Sequence, residues 1–204
     1  MKRSHVAVFV FALFASSAYA ATIQFSLNTS SIAGTTGSID FQFNPGGASS
    51  QAATVLISNF AGGLSAGPAQ HFGNASGGPV PNAITINNTQ ADNEDFEPFT
   101  FGSSLKFNLL FSGPAVVSPN GTSTAASQFT FSLFSDAAGT IPVLTPDPAG
   151  IAGTVTVNLD GTLTSHANSS SLVIAAVPEP ASLGLTAAAL LMGLGLLRLR
   201  RSNS

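Results

Sequence analysis

The chain has 204 residues, 44% hydrophobic and only 7% charged, far below the roughly 25% charged residues of an average soluble domain, and this length holds one ordinary domain with short flanking segments. Between residues 21 and 176 eight acidic residues stand against one base, Lys106, a net charge of −7 that excludes a phosphate-backbone partner. Cysteine is absent, which excludes disulfides, thiol catalysis and thiolate metal sites together.

In chain order, residues 1–20 carry a positive start (Lys2, Arg3), an apolar run from Val6 to Ala15, and the small-residue site Ala18-Tyr19-Ala20. This pattern predicts a secretory signal peptide with the mature protein beginning at Ala21.

The body, 21–176, alternates with a period of two. Ile23, Phe25 and Leu27 are separated by polar residues, as are Ile39, Phe41 and Phe43, then Phe99 and Phe101, then Leu105, Phe107, Leu109 and Phe111. Phe129, Phe131 and Leu133 repeat the pattern, as do Val155, Val157 and Leu159, and residues 53–60 and 83–86 add two further strands. A period of two predicts half-buried strands. The residues between the apolar ones are mostly Ser, Thr, Asn and Gln, which face water without charge. Asn44-Pro45-Gly46-Gly47, Asp136-Ala137-Ala138-Gly139 and Asp160-Gly161 supply turns, the last reading as a type I′ hairpin. Residues 62–81, rich in Gly and Pro, read as one long surface loop, either a mobile linker or a binding element. Nine or ten short strands without a long helix predict an all-β body, an antiparallel β-sandwich of jelly-roll-like or Ig-like type, with a barrel as the alternative.

After the body, residues 177–182 (Val-Pro-Glu-Pro-Ala-Ser) form a stiff linker, because Pro178 and Pro180 lack the N–H groups a ladder needs. Residues 183–197 are almost wholly apolar and predict a transmembrane helix, and the tail 198–204 carries Arg198, Arg200 and Arg201. The arginines place that tail in the cytoplasm, as Lys2 and Arg3 place the N-terminal start, so the body lies across the membrane.

Val177-Pro178-Glu179-Pro180-Ala181-Ser182, an apolar stretch and an Arg-rich end, in that order, resemble the PEP-CTERM sorting signal of Gram-negative bacteria. The resemblance implies that an exosortase of the inner membrane recognises Pro178, Glu179 and Pro180, cuts near them and passes the body to the cell surface or matrix. Such proteins accompany exopolysaccharide production, so exopolysaccharide is the partner the resemblance implies, with signal peptidase and exosortase as processing enzymes.

Motifs with catalytic chemistry fail their context. Gly63-Leu64-Ser65-Ala66-Gly67 matches a nucleophile elbow, which requires a helix directly after the serine, whereas Pro68 and a Gly-rich run follow. Ser103-Ser104-Leu105-Lys106 matches S-x-x-K, yet a strand sends residues three apart to opposite faces. Lys106 then reads as a charge blunting a strand surface or edge. His71 and His166 read as exposed loop or turn residues, too far apart in sequence to suggest a zinc pair. Asp92, Glu94, Asp95 and Glu97 form the single charge cluster, read as a solvated acidic loop. The alternative is a calcium site to which Asn88 and Asn93 add carbonyls, although EF-hand spacing is missing. A carboxylate pair for glycoside hydrolysis would bring Asp40, Asp136 or Asp147 to that cluster. The sequence therefore predicts a non-enzymatic surface or matrix protein with a structural or adhesive role. A carbohydrate-binding or calcium-dependent adhesion module is the alternative, and a secreted hydrolase the remote one.

Overall fold

The computed structural model describes residues 22–177. The expected signal peptide 1–20, Ala21, the expected sorting motif from Pro178, the apolar stretch 183–197 and the basic tail lie outside the described residues. Among the described residues no helix is long and apolar enough to cross a membrane.

The body is all-β and antiparallel. Its strands are β1 (Thr22–Asn28), β2 (Thr36–Pro45), β3 (Thr54–Ser65), β4 (Gln70–Phe72), β5 (Ala75–Gly77), β6 (Ile84–Asn87), β7 (Glu94–Ser112), β8 (Ser127–Phe134), β9 (Ile151–Val157), β10 (Leu163–Ala167) and β11 (Leu172–Val177). One 3-10 turn, Ser30–Ile32, and one helical turn, α1 (Pro114–Val117), complete it. All eleven strands belong to one hydrogen-bonded sheet organised on β7, which at 19 residues fuses two runs that read separately in the sequence.

The sheet forks along β7. On one side of β7, β2 pairs with residues 94–100, and β1 pairs with residues 104–110. From β2 the ladder continues through β8 and β9 to β10, while from β1 it continues to β11. The other side of β7 is taken by β4 and then by β3, which leads on to β6 and β5. Side chains of the two branches touch, with Phe25 of β1 meeting Phe129 and Phe131 of β8 edge-on at 6.2 and 6.3 Å.

The fork requires β3 and β7 to bend together, and glycines permit it. Gly62 has φ +105°, and a Cβ there would collide with the Ser104 carbonyl; a Cβ on Gly102 would collide with the Gly62 carbonyl. Only backbone without side chains passes at that distance. The β3–β7 register shifts beside this point, between Ser58 and Gly63.

The apolar phase of the sequence becomes the core. Phe25, Phe41, Phe43, Phe99, Phe107, Phe111, Phe129 and Phe131 are fully buried, with Phe107 at 4.9 Å from Phe131 and 5.1 Å from Phe25. Each such ring stabilises the fold by roughly 1.5–3 kcal/mol through area removed from water, with an increment for edge-to-face packing.

Three expectations are corrected and one, for Lys106, is narrowed. Residues 62–81 are not one irregular loop: β3 runs on to Ser65, and β4 and β5 hydrogen-bond to β7 and β6. The β9–β10 connection is not a type I′ turn. The Gly161 N–H donates to the Asn158 carbonyl and the Asn158 N–H to the Thr162 carbonyl, and only Gly161 takes positive φ, so the turn is a three-residue one closed by a glycine bulge. Leu159 falls in that turn and is exposed. Lys106 stands on a central strand between Ser26 and Ala61, so it blunts a face and no edge.

Candidate functional site

The N-terminal half of β7 reads Glu-Asp-Phe-Glu-Pro-Phe-Thr-Phe from residue 94, and pleating sends alternate residues to opposite sides. Phe99 and Phe101 face the core, and continuing that phase backwards turns Glu97 and Asp95 inward as well. Both are fully buried. Glu94 and Phe96 take the other phase, on the outer side with Asp40 and Gln42 of β2. The four acids expected in one solvated loop are thus divided. Asp92 is exposed before β7, Glu94 is half-buried on the outer face, and Asp95 and Glu97 lie inside.

The inner pair is covered by the segment that follows β3. In the ladder His71 of β4 stands opposite Asp95, and its Nε2 lies 2.7 Å from Asp95 Oδ2. The contact is one of proximity, since neither Asp95 oxygen receives a directed hydrogen bond. Glu97 does better, because the Val80 N–H donates to both of its oxygens at 3.0 Å. Val80 is itself buried and arrives on the turn Gly78-Pro79-Val80-Pro81, where a Cβ on Gly78 would stand 2.9 Å from Glu97 Oε1. Burial disfavours charge here. It pushes Asp95 up to about 6 and, with the Asp95 charge adding, Glu97 up to about 7. Two buried carboxyls two residues apart on one face of a strand disfavour being ionised together.

Asn88 and Asn93, read from sequence as added metal ligands, are structural clips. Asn88 accepts from the Ala53 N–H at 2.7 Å and donates to the Gln51 carbonyl and Ser127 Oγ at 2.9 and 2.6 Å. Asn93 accepts from the Asn74 N–H at 3.0 Å and donates to the Phe43 and Gln90 carbonyls at 3.1 and 2.8 Å. Among the described residues no group of three or more His, Asp or Glu is placed to hold a metal ion. A calcium site built on Asp92, Glu94, Asp95 and Glu97 is not assembled, because the pleat of β7 separates its ligands.

The outer face holds the second arrangement. Ladder register sets Asp40 opposite Phe96 opposite Gln70, and Gln42 opposite Glu94 opposite Phe72, across β2, β7 and β4. Cross-strand neighbours lie about 5 Å apart, so the six side chains form one continuous patch. They floor an open groove of about 490 Å³, walled by Phe134 and by Ala137 to Gly139. Gly139 has φ +69° and a Cβ on it would stand 2.7 Å from the Phe96 ring, so the wall rests directly on the floor. A second groove of about 470 Å³, between the turns at Gly46 and Gln90, holds no charged side chain. The distribution of phenylalanine singles out the first groove. Thirteen Phe fall in the body and ten enter the core cluster, while the other three, Phe72, Phe96 and Phe134, all line this groove.

Asp40 is the unusual member. It is only 5% exposed, its Oδ2 accepts from Gln42 Nε2 at 2.8 Å, and its Oδ1 has no hydrogen-bond partner. Burial, and then the nearby Glu94 charge, push its carboxyl up to about 7; burial also raises Glu94, with Asp92 adding. Of the carboxylates expected to approach the acidic cluster, only Asp40 does so. Asp136 is tied to Thr140 and Ile141 of its own turn, and Asp147 accepts from Ala149 N–H and Asn168 Nδ2.

The remaining motifs are inert in place. Ser65 ends β3 and donates to the Gly67 carbonyl at 2.6 Å, with no helix following, and His71 is turned to Asp95. His166 lies exposed on β10, its Nδ1 2.7 Å from Asn168 Oδ1. The groove was missed at sequence level because four of its six floor residues are uncharged and come from three separate segments. The phase of Phe99 and Phe101, extended back to residue 94, is the signal that would have divided the acids between the two faces.

Comparison with protein families, with curated proteins and with solved structures finds no match to this chain.

Proposed function

We propose that this is an exported protein, processed at both ends, whose all-β body serves at the cell surface or in an exopolysaccharide matrix as a structural or adhesive, non-catalytic component. The observation that carries the reading is a pairing in the sheet. Thr22, next to the expected signal-peptide site at Ala20 and Ala21, stands opposite Val177, next to Pro178, in the β1–β11 ladder, so the two expected processing sites adjoin neighbouring positions of the sheet. An inner-membrane intermediate held at both ends would suspend the finished body from those positions, and cleavage near Ala20 and near Pro178, Glu179 and Pro180 would remove nothing from its core. The PEP-CTERM resemblance of residues 177–204, with Arg198, Arg200 and Arg201 at its end, supplies the exosortase as the second processing enzyme.

Within this reading the forked sheet is an antiparallel β-sandwich of jelly-roll-like or Ig-like type, its two layers joined by the shared bend of β3 and β7. The aromatic contacts between β1 and β8 across the fork support that architecture. A surface of Ser, Thr, Asn and Gln suits a hydrated polysaccharide better than a charged partner, and the Asp40 groove is where a glycan would be held.

Sedimentation of the full-length chain in neutral detergent with the producing cells' own exopolysaccharide tests the matrix role. Co-sedimentation is expected with or without calcium. Retention in the supernatant under both conditions would remove the matrix role and leave a purely proteinaceous surface role.

A further inference from the structure

We propose that the groove over β2, β7 and β4 is a binding site for an amino sugar with a free ammonium group, presented as part of a glycan. This rests on the matrix reading above and names the sugar chemistry that reading leaves open. Three observations converge on it. Asp40 lies on the groove side of β2, nearly fully buried, with Oδ1 lacking any partner. A buried carboxyl oxygen left without a donor is costly, and the structure provides none from its own chain. A ligand donor meets that need.

Charge then selects among donors. Glu94 stands one ladder row away on the same face, Asp92 lies just before it, and the body carries eight acids against one base. Lys106, the one base, is at the opposite half of β7, beside β1. Uronate- or phosphate-bearing glycans are repelled from such a site, a neutral sugar leaves the two carboxyls without a counter-charge, and an ammonium satisfies both.

The third observation is shape and surface. Phe72, 53% exposed, stands beside Glu94, and Phe96 lies between Asp40 and Gln70. Phenyl faces next to carboxylates attract cations and also stack against the C–H face of a pyranose. Gln42 and Gln70 flank them with amides that both donate and accept, as ring hydroxyls require. An open groove of about 490 Å³ has room for a small number of sugar units, whereas one lysine side chain would fill little of it.

The test is isothermal titration of the full-length chain in neutral detergent with a glucosamine oligomer, its N-acetylated counterpart and oligolysine, together with sedimentation on the native exopolysaccharide. The glucosamine oligomer should bind at least about tenfold more tightly than either comparison ligand, and Asp40→Asn and Phe72→Ala should each weaken it by about tenfold or more. Asp40→Asn keeps the acceptor for Gln42, and Phe72 is exposed, so both variants retain the core. No binding of the glucosamine oligomer, equal binding of the acetylated oligomer or oligolysine, or indifference to both substitutions overturns the proposal. Native polysaccharide bound equally by wild type and Asp40→Asn would overturn it while leaving the matrix role standing. Asp40-dependent glucosamine binding without retention on the native polysaccharide would support it and remove that role.

Discussion

Asp95 and Glu97 lie two residues apart on the inward face of β7, both fully buried, and among the described residues the titratable side chain brought to them from another strand is His71. The turn carrying Val80 closes over Glu97, so the pair ties residues 70–81 to the sheet through one side-chain contact and one backbone donor. Two acids in a core are stable there as long as they are not both charged.

That condition makes stability depend on pH. Asp95, Glu97 and Asp40 titrate near 6, 7 and 7 in the folded protein, above their unfolded values, so the folded state binds more protons through this range. Stability is therefore greatest below the unfolded carboxylate values and falls as pH rises from about 4 to about 7. Urea unfolding, followed by far-UV circular dichroism because the body holds neither Trp nor Tyr, should show a loss of at least about 3 kcal/mol across that window, the amount one such group contributes by itself. Glu97→Gln, which cannot ionise, should reduce the slope and leave the part that Asp40 contributes; a slope unchanged by it contradicts the assignment.

The bend of β3 and β7 predicts intolerance at two glycines. Gly62→Ala places a methyl against the Ser104 carbonyl at φ +105°, and Gly102→Ala places one against the Gly62 carbonyl. Each should destabilise by roughly 2–4 kcal/mol, since backbone and no flexible side chain must move. Gly34→Ala is the control. Its φ is also positive, at +81°, but a Cβ there meets nothing within 4 Å, so only about 1 kcal/mol should be lost.

Asn93→Ala should be among the most damaging polar substitutions. It strips one acceptor and two donors from a buried position that joins the Asn74 N–H to the Phe43 and Gln90 carbonyls, and about 2–4 kcal/mol should be lost with those backbone groups left unpaired. Had Asn93 served as a calcium ligand, the loss would grow with added calcium, because the variant would forgo the binding free energy; a loss independent of calcium is expected.

Calcium itself should do nothing measurable. The pleat directs Glu94 away from Asp95 and Glu97, so millimolar calcium should leave the thermal midpoint unchanged, whereas a specific site would add a few kcal/mol of stability at saturating ion and raise it.

Much of the fold was legible from alternation alone. Every apolar residue from Ile23 through Val157 that set the period of two is buried, because a sheet residue has only two sides and the core takes one. Leu159 broke the rule because the glycine bulge at Gly161 ends the strand two residues earlier. β4 and β5 left no periodic trace: each spans three residues, and β4 is exposed throughout, its place set by the ladder with β7. The acids were misread for a different reason. A run of Asp and Glu suggests water, and its phase relative to Phe99 and Phe101 places two of them in the core. The groove depends on register between β2, β7 and β4, which no single segment encodes.

The most direct measurement is the intact mass of the protein recovered from the extracellular and surface fractions of the cells that produce it. Export with processing at both ends predicts a species that begins at Ala21 and ends within residues 177–182, carrying all eleven strands and none of the apolar stretch that follows. A protein that keeps residues 183–204 in those fractions, or that is found there with residues 1–20 still attached, would contradict it.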